Sequence, residues 1–131
     1  MDLKLITPEK ILFSGDVEMV TVPGTEGVFG VLPSHAPFIS TLKAGLVIID
    51  LPDNTQKCMV VLSGIAEVTP ERMILLAETA EDCSGLTAAD AQARLQSAKS
   101  ELDAAISEEQ KKEMAQKLVI VETLAQGLKA A

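Results

Sequence analysis

The chain has 131 residues, 11 basic and 19 acidic side chains, and a net charge of −8. That acidic balance excludes a nucleic-acid binder, which needs clustered positive charge facing phosphates. Aromatic content of 2%, with neither Trp nor Tyr, excludes sugar platforms, base-stacking surfaces and aromatic cages, all of which need flat rings.

The length suits one domain, or one domain with an appendage, and a hydrophobic fraction of 47% is enough for a core. The longest apolar runs, such as Met73-Ile74-Leu75-Leu76-Ala77, fall far short of the ~20 residues a membrane helix needs. The start, Met1-Asp2-Leu3-Lys4, shows neither a basic region followed by an apolar stretch nor an Arg-rich transit pattern. A cytoplasmic chain kept whole is expected.

Up to Gly85 the chain is punctuated by Gly or Pro every several residues; from Leu86 to Gln126 there is neither. A domain boundary is placed there, dividing residues 1–85 from residues 86–131. In the first part, short β-branched or alternating runs predict strands at residues 3–6, 11–13, 17–22, 46–51, 58–62, 65–68 and 73–77. Ser14-Gly15, Pro52-Asp53-Asn54, Ser63-Gly64 and Thr69-Pro70 read as the intervening turns. Strands at this spacing predict an antiparallel β-sandwich, or flattened barrel, rather than βαβ units.

Residues 23–37 are the most distinctive segment, holding three of the eight glycines, three of the six prolines and the one histidine. Proline fixes φ and glycine admits φ > 0, so sharply turned backbone rather than a strand ladder is expected. Val28, Phe29, Val31 and Leu32 are apolar, as suits a corner packed under a sheet or a surface that meets another protein.

Cys58 sits in an apolar run and reads as a small core residue, whereas Cys83 lies in a linker-like stretch and reads as exposed. They are 25 positions apart with no second histidine, so neither metal ligation nor, in a reducing compartment, a disulfide is expected.

After the boundary, Ala88, Ala91, Leu95, Ala98, Leu102 and Ala105 follow steps of three and four, the seam of a helix packed on one neighbour. Thr87 with Asp90, and Ser107 with Gln110, have the form of capping boxes. The second opens a run in which Met114, Leu118, Val121, Ala125 and Leu128 repeat the spacing, so an antiparallel two-helix hairpin follows. Its alanine-rich seam buries little area per turn, which suits an element that docks and releases.

No catalytic constellation emerges. The glycines at 24, 27 and 30 match neither a dinucleotide fingerprint nor a P-loop. His35 lacks an acidic or cysteine neighbour and reads as a structural or interface residue. Asp90 and Arg94, one helical turn apart, read as a surface pair. The residues alone describe a non-enzymatic α+β protein; a free-standing regulatory module with a dockable hairpin is one form it could take, and a small hydrolase using His35 is disfavoured.

One further likeness is carried by residues 22–37 (Val-Pro-Gly-Thr-Glu-Gly-Val-Phe-Gly-Val-Leu-Pro-Ser-His-Ala-Pro), by Leu42-Lys43-Ala44-Gly45 and by residues 62–68 (Leu-Ser-Gly-Ile-Ala-Glu-Val). With residues 10–15 and 75–80, they make the chain resemble the epsilon subunit of bacterial F-type ATP synthases, counterpart of the mitochondrial delta subunit. The resemblance implies a β-sandwich then a helical hairpin, and a central-stalk rotor part rather than a catalyst. It implies partners: the gamma subunit and the membrane c-ring, with the alpha/beta hexamer reached through the C-terminal helices. Location would be peripheral, on the cytoplasmic face of the bacterial inner membrane.

By the same resemblance, Glu26, Gly27, Val28 and Phe29 face the c-ring, with Val28 at the tip. His35, Ala36, Pro37, Ser40 and Thr41 lie toward gamma. Members of the family that bind ATP carry Asp-x-x-Arg-Ala in the first hairpin helix. Here Arg94 falls one position late after Asp90, and the second helix has no arginine. Asp90 and Arg94 are therefore the only candidates for a nucleotide site that is not expected to form, and no cofactor or metal is expected. The second helix balances Lys111, Lys112, Lys117 and Lys129 against Glu108, Glu109, Glu113 and Glu122. Inhibition of ATP hydrolysis through basic contacts should accordingly be weak.

Overall fold

A computed structural model describes residues 1–34 and 36–130, without the side chains of residues 128–130. Over these residues the chain forms ten strands followed by two helices, and it divides into two compact units, Met1–Ser84 and Gly85–Ala131. The strands are β1 (Asp2–Ile6), β2 (Ile11–Asp16), β3 (Met19–Gly24), β4 (Gly27–Val31), β5 (Phe38–Leu42), β6 (Gly45–Asp50), β7 (Gln56–Val61), β8 (Gly64–Val68), β9 (Arg72–Ala77) and β10 (Ala80–Asp82).

They pair in the order β10-β7-β6-β3-β5-β8-β9-β1-β2, with β4 also on β3. Every pair is antiparallel except β1 with β9, where Asp2 to Ile6 run alongside Arg72 to Leu76. Side chains alternate between faces along a strand. Leu3 and Leu5 of β1, Met73 and Leu75 of β9, Val47 and Ile49 of β6, and Met59 of β7 all join one buried cluster. Strands near opposite ends of the order can share a core only if the sheet folds over on itself, which gives the flattened-barrel form of the α+β fold. Among the described residues, no polar or charged side chain is buried.

Turn chemistry holds where its donors have partners. Asn54 takes φ 68°, Leu51 N–H bonds the Thr55 carbonyl at 2.9 Å, and the Asp53 carboxylate accepts from Thr55. Thr69 N–H reaches the Arg72 carbonyl at 2.9 Å between β8 and β9. Ser14-Gly15 is not a turn. Both residues stay in β2, with Gly15 opposite Leu3, because that ladder continues to Asp2 opposite Asp16. Two strands, β4 and β10, lie where the sequence reads as turn or linker.

In the second unit α1 (Ala88–Ala104) and α2 (Glu108–Ala130) are joined by three residues, and Lys117 Nζ meets Glu101 Oε2 at 2.9 Å across them. Leu95 and Ala125 line one hollow further along, so the helices run antiparallel. Ala91 and Ala98 are the buried residues of α1, and Val121, Leu124 and Ala125 are those of α2 among the described side chains. Leu128 of the expected seam lies outside the described side chains. No described helix is long and apolar enough to cross a membrane.

Both helix starts are capped reciprocally. Asp90 N–H donates to Thr87 Oγ1 at 3.1 Å, and Thr87 N–H donates to Asp90 Oδ2 at 3.1 Å. Gln110 N–H donates likewise to Ser107 Oγ at 3.1 Å. The Thr87 bonds, backbone first, hold the Asp90 carboxyl below its ordinary 3.8, with a smaller contribution from Arg94. A depressed carboxyl favours the folded state above its unfolded pKa and loses that contribution as pH falls through the folded one. The helix content of the parent should therefore exceed that of Asp90→Asn at neutral pH, with the gap closing below 3.8. Circular dichroism on acid titration checks this; a gap that widens on acidification contradicts the cap assignment.

Candidate partner-docking surfaces

Residues 19–22 form the strand expected of them, but residues 23–31, expected as a ladder-free corner from their glycines and prolines, continue it into a two-stranded hairpin. Val22 pairs with Phe29, Pro23 with Val28 and Gly24 with Gly27, leaving Thr25 and Glu26 as the turn. The glycines make the ladder feasible rather than breaking it. Gly27 takes φ +136°, which side chains disfavour, and a Cβ on Gly24 would stand 2.7 Å from Phe29 Cε1 and 2.8 Å from the Gly27 carbonyl oxygen. Proline is tolerated at Pro23 because the groups around it pair elsewhere: its carbonyl accepts from Lys43 N–H at 2.9 Å.

The tip is tied to β5. Thr25 N–H donates to the Thr41 carbonyl at 3.1 Å, and the two threonine hydroxyls lie 2.8 Å apart. Beneath it the Phe29 and Phe38 rings meet edge to face, their centroids 5.4 Å apart. The four residues expected at the tip are thus brought together but do different things. Val28 is 69% exposed and Glu26 is exposed, whereas Phe29 turns its ring onto the core and acts as a prop.

The second predicted group is less uniform. Ala36 and Pro37 are exposed. Thr41 faces out, while Ser40 is half-buried on the other face of β5, its hydroxyl donating to the Thr41 carbonyl at 3.1 Å. His35 lies outside the described residues.

A surface that the sequence reading missed adjoins this group. On the outer face of the sheet, Thr41 is in register with Ile65, Ile65 with Leu76, and Leu76 with Ile6. Ile65, Leu76 and neighbouring Ile39 are exposed, Ile39 at 72%. A hollow of about 530 Å³ opens in this row, lined mainly by Ile6, Pro8, Leu42, Ile65 and Leu76. The signal was present but ambiguous: residues 73–77 are apolar on both faces, so periodicity alone could not mark Leu76 as wet.

In the hairpin unit, Asp90 is engaged by the α1 cap. Among the described residues no ion pair joins it to Arg94, the expected surface partner. A group of His, Cys, Asp or Glu that could hold a metal is also absent among the described residues.

The fold and surface define a protein-docking module: a stiffened hairpin tip, an exposed apolar row and a capped helical hairpin, with no nucleophile and base brought together among the described residues. The family model for the ATP synthase delta/epsilon chain β-sandwich domain matches residues 1–83. An ATP synthase epsilon chain of Rhodospirillum rubrum is 43% identical over 94% of this chain and 92% of the relative. That of Paramagnetospirillum magneticum is 39% identical over 95% and 94%. A chain in the Euglena gracilis mitochondrial ATP synthase has the same fold, with a TM-score of 0.68 at 20% identity, covering 96% of this chain and 79% of that one. The chain belongs to the ATP synthase delta/epsilon chain family.

Proposed function

We propose that the chain is a non-catalytic rotor subunit in the central stalk of a proton-translocating F-type ATP synthase. It couples rotation of a membrane c-ring to ATP synthesis through contacts with that ring and with the gamma subunit. Family membership supports this reading, as does the architecture of the relatives: the Euglena structure is of an F1/c-ring assembly, and a Tetrahymena thermophila chain with a TM-score of 0.61 comes from a central stalk and c-ring. The observation that carries it is the exposure of Val28 on a tip whose backbone is fixed on both sides. A torque-bearing contact favours stiff backbone over mobile side chains. Glu26, Gly27 and Val28, propped by Phe29, form the ring-facing part. Ala36, Pro37 and Thr41, with Ile39 beside them, form the gamma-facing part. The subunit works at the cytoplasmic face of the bacterial inner membrane without entering it.

The hairpin is a dockable element whose balanced charges make it a weak inhibitor of ATP hydrolysis. No nucleotide is bound through Asp90 and Arg94, because the carboxylate already caps its own helix.

The test is capture from detergent-solubilised membranes with the intact chain as bait. Gamma and c-ring subunits should co-elute, and Ile39→Asp should reduce recovery of gamma by about tenfold, the scale of one buried apolar anchor. Recovery of an unrelated helical partner instead would favour a free-standing regulatory module. Removing the residues after Gly85 should leave ATP hydrolysis by the reconstituted head within about twofold, since only a basic hairpin would hold an acidic partner strongly. A several-fold rise contradicts weak inhibition.

A further inference from the structure

We propose that Cys58 and Cys83 form a reversible intramolecular disulfide, making the exit from the β unit a thiol–disulfide modification site. Cys83, expected to be exposed, is buried at 2%, and Cys58, expected in the core, is only half-buried. The register that sets Asp82 opposite Met59 continues to Cys83 opposite Cys58, with Cys83 N–H on the Cys58 carbonyl at 2.8 Å. Ser84 Oγ clamps the same residue, accepting from Cys58 N–H at 2.9 Å and donating to the Cys58 carbonyl at 3.4 Å. Both thiols are free, and their sulfurs stand 2.7 Å apart. Sulfurs this close already stand inside ordinary non-bonded contact, so closing to a disulfide bond of ~2.05 Å asks for only a small further approach.

The two sulfurs have distinct parts. The Cys83 thiol donates to the Cys58 sulfur, which pulls the Cys58 thiol below its usual value against burial and the nearby Asp82 charge. The same bond, with burial, pushes the Cys83 thiol up. Cys58 is the accessible attacking thiolate and Cys83 the shielded resolving thiol. With a small-molecule disulfide as oxidant, Cys58 attacks one sulfur, the oxidant's S–S bond breaks, and one thiolate leaves. Cys83 then gives up its proton and attacks the Cys58 sulfur of the mixed disulfide, expelling the second thiolate. Two electrons pass to the oxidant, and the two protein thiol protons end on the two small thiols.

The location gives the bond a consequence. β10 is a three-residue edge strand paired only with β7, and it leads through Ser84 into the second unit at Gly85. Short edges open readily. The disulfide fastens this edge covalently, so tension on the hairpin cannot peel β10 from β7. Independently of any assembly, it gives the chain a reduced state with a releasable root and an oxidised state with a fixed one.

The experiment uses the purified full chain incubated with oxidised glutathione, then alkylated and weighed intact. The expected product is a monomer lacking two hydrogens, with neither thiol alkylated and no retained glutathione, restored by dithiothreitol. Exchange of the Cys83 amide, which bonds the Cys58 carbonyl, should slow by about tenfold on oxidation, as opening of the edge is suppressed. Two alkylated thiols, a persistent adduct on Cys58, or linked dimers would each overturn the proposal. Cys83→Ala should trap the adduct on Cys58, and an unmodified Cys58 in that variant would overturn the assigned order of attack.

Discussion

Gly64→Ala should lower the stability of the β unit by about 3 kcal/mol, the upper end of the usual cost of overpacking. A Cβ there would stand 2.2 Å from the Leu76 carbonyl oxygen and 3.1 Å from the Ala77 Cα. Both obstacles are backbone, so no side-chain rotation relieves them. Gly64 pairs with Ala77 on one side and Leu42 on the other, and separating the strands would disturb both ladders. Gly30→Ala is the contrast: its Cβ would meet only Met19 Sδ at 3.5 Å, an ordinary contact, and the change should stay within about 0.5 kcal/mol. Urea unfolding of the two variants decides the matter. A Gly64→Ala midpoint equal to that of Gly30→Ala would mean that β8 and β9 do not approach this closely.

That pair of glycines also shows what the chain declares openly and what it hides. Glycine at 64 and glycine at 30 look alike in a sequence; only the packing of the neighbouring strand separates a spacing requirement from an idle position. The two-unit plan, by contrast, was legible from the disappearance of Gly and Pro after Gly85, because helices and strands with tight turns punish these residues differently. Both capping boxes were legible for a similar reason: Thr87 with Asp90 and Ser107 with Gln110 act over three residues, a local event independent of tertiary context.

The errors fall where long-range pairing decides. β4 carries Gly27 and Gly30, neither a strand former, and it exists because β3 supplies a partner along its length. Cys83 read as exposed because the three-residue strand before it has no pattern of its own; its burial comes from alignment with β7, where its N–H bonds the Cys58 carbonyl. The exposed row of Ile39, Ile65 and Leu76 was hidden by the same dependence. An apolar side chain names its face only once the register is known. The tip was legible as a special segment, yet its backbone state was read wrongly, since glycine serves close strand approach as well as turns.

The tip offers the sharpest separation of docking from folding. Val28→Asp should leave unfolding by urea within about 0.5 kcal/mol of the parent, because a side chain 69% exposed loses little on replacement. In a reconstituted synthase the same change should cut ATP synthesis by about tenfold, since a charge placed at an apolar contact must be desolvated without a partner. Its neighbour Phe29 should do the reverse. Phe29→Ala removes the ring that abuts Phe38 and covers Gly24, and it should cost about 2–3 kcal/mol of stability, less than a fully buried phenylalanine. Synthesis by the fraction that folds and assembles should then fall only modestly, because the apolar contact at Val28 survives even where its support is loosened. If Val28→Asp destabilised the isolated chain as Phe29→Ala does, the tip would be a structural corner rather than a contact. If it altered neither folding nor synthesis, the rotor would have to grip the ring elsewhere, and the tip would carry no torque.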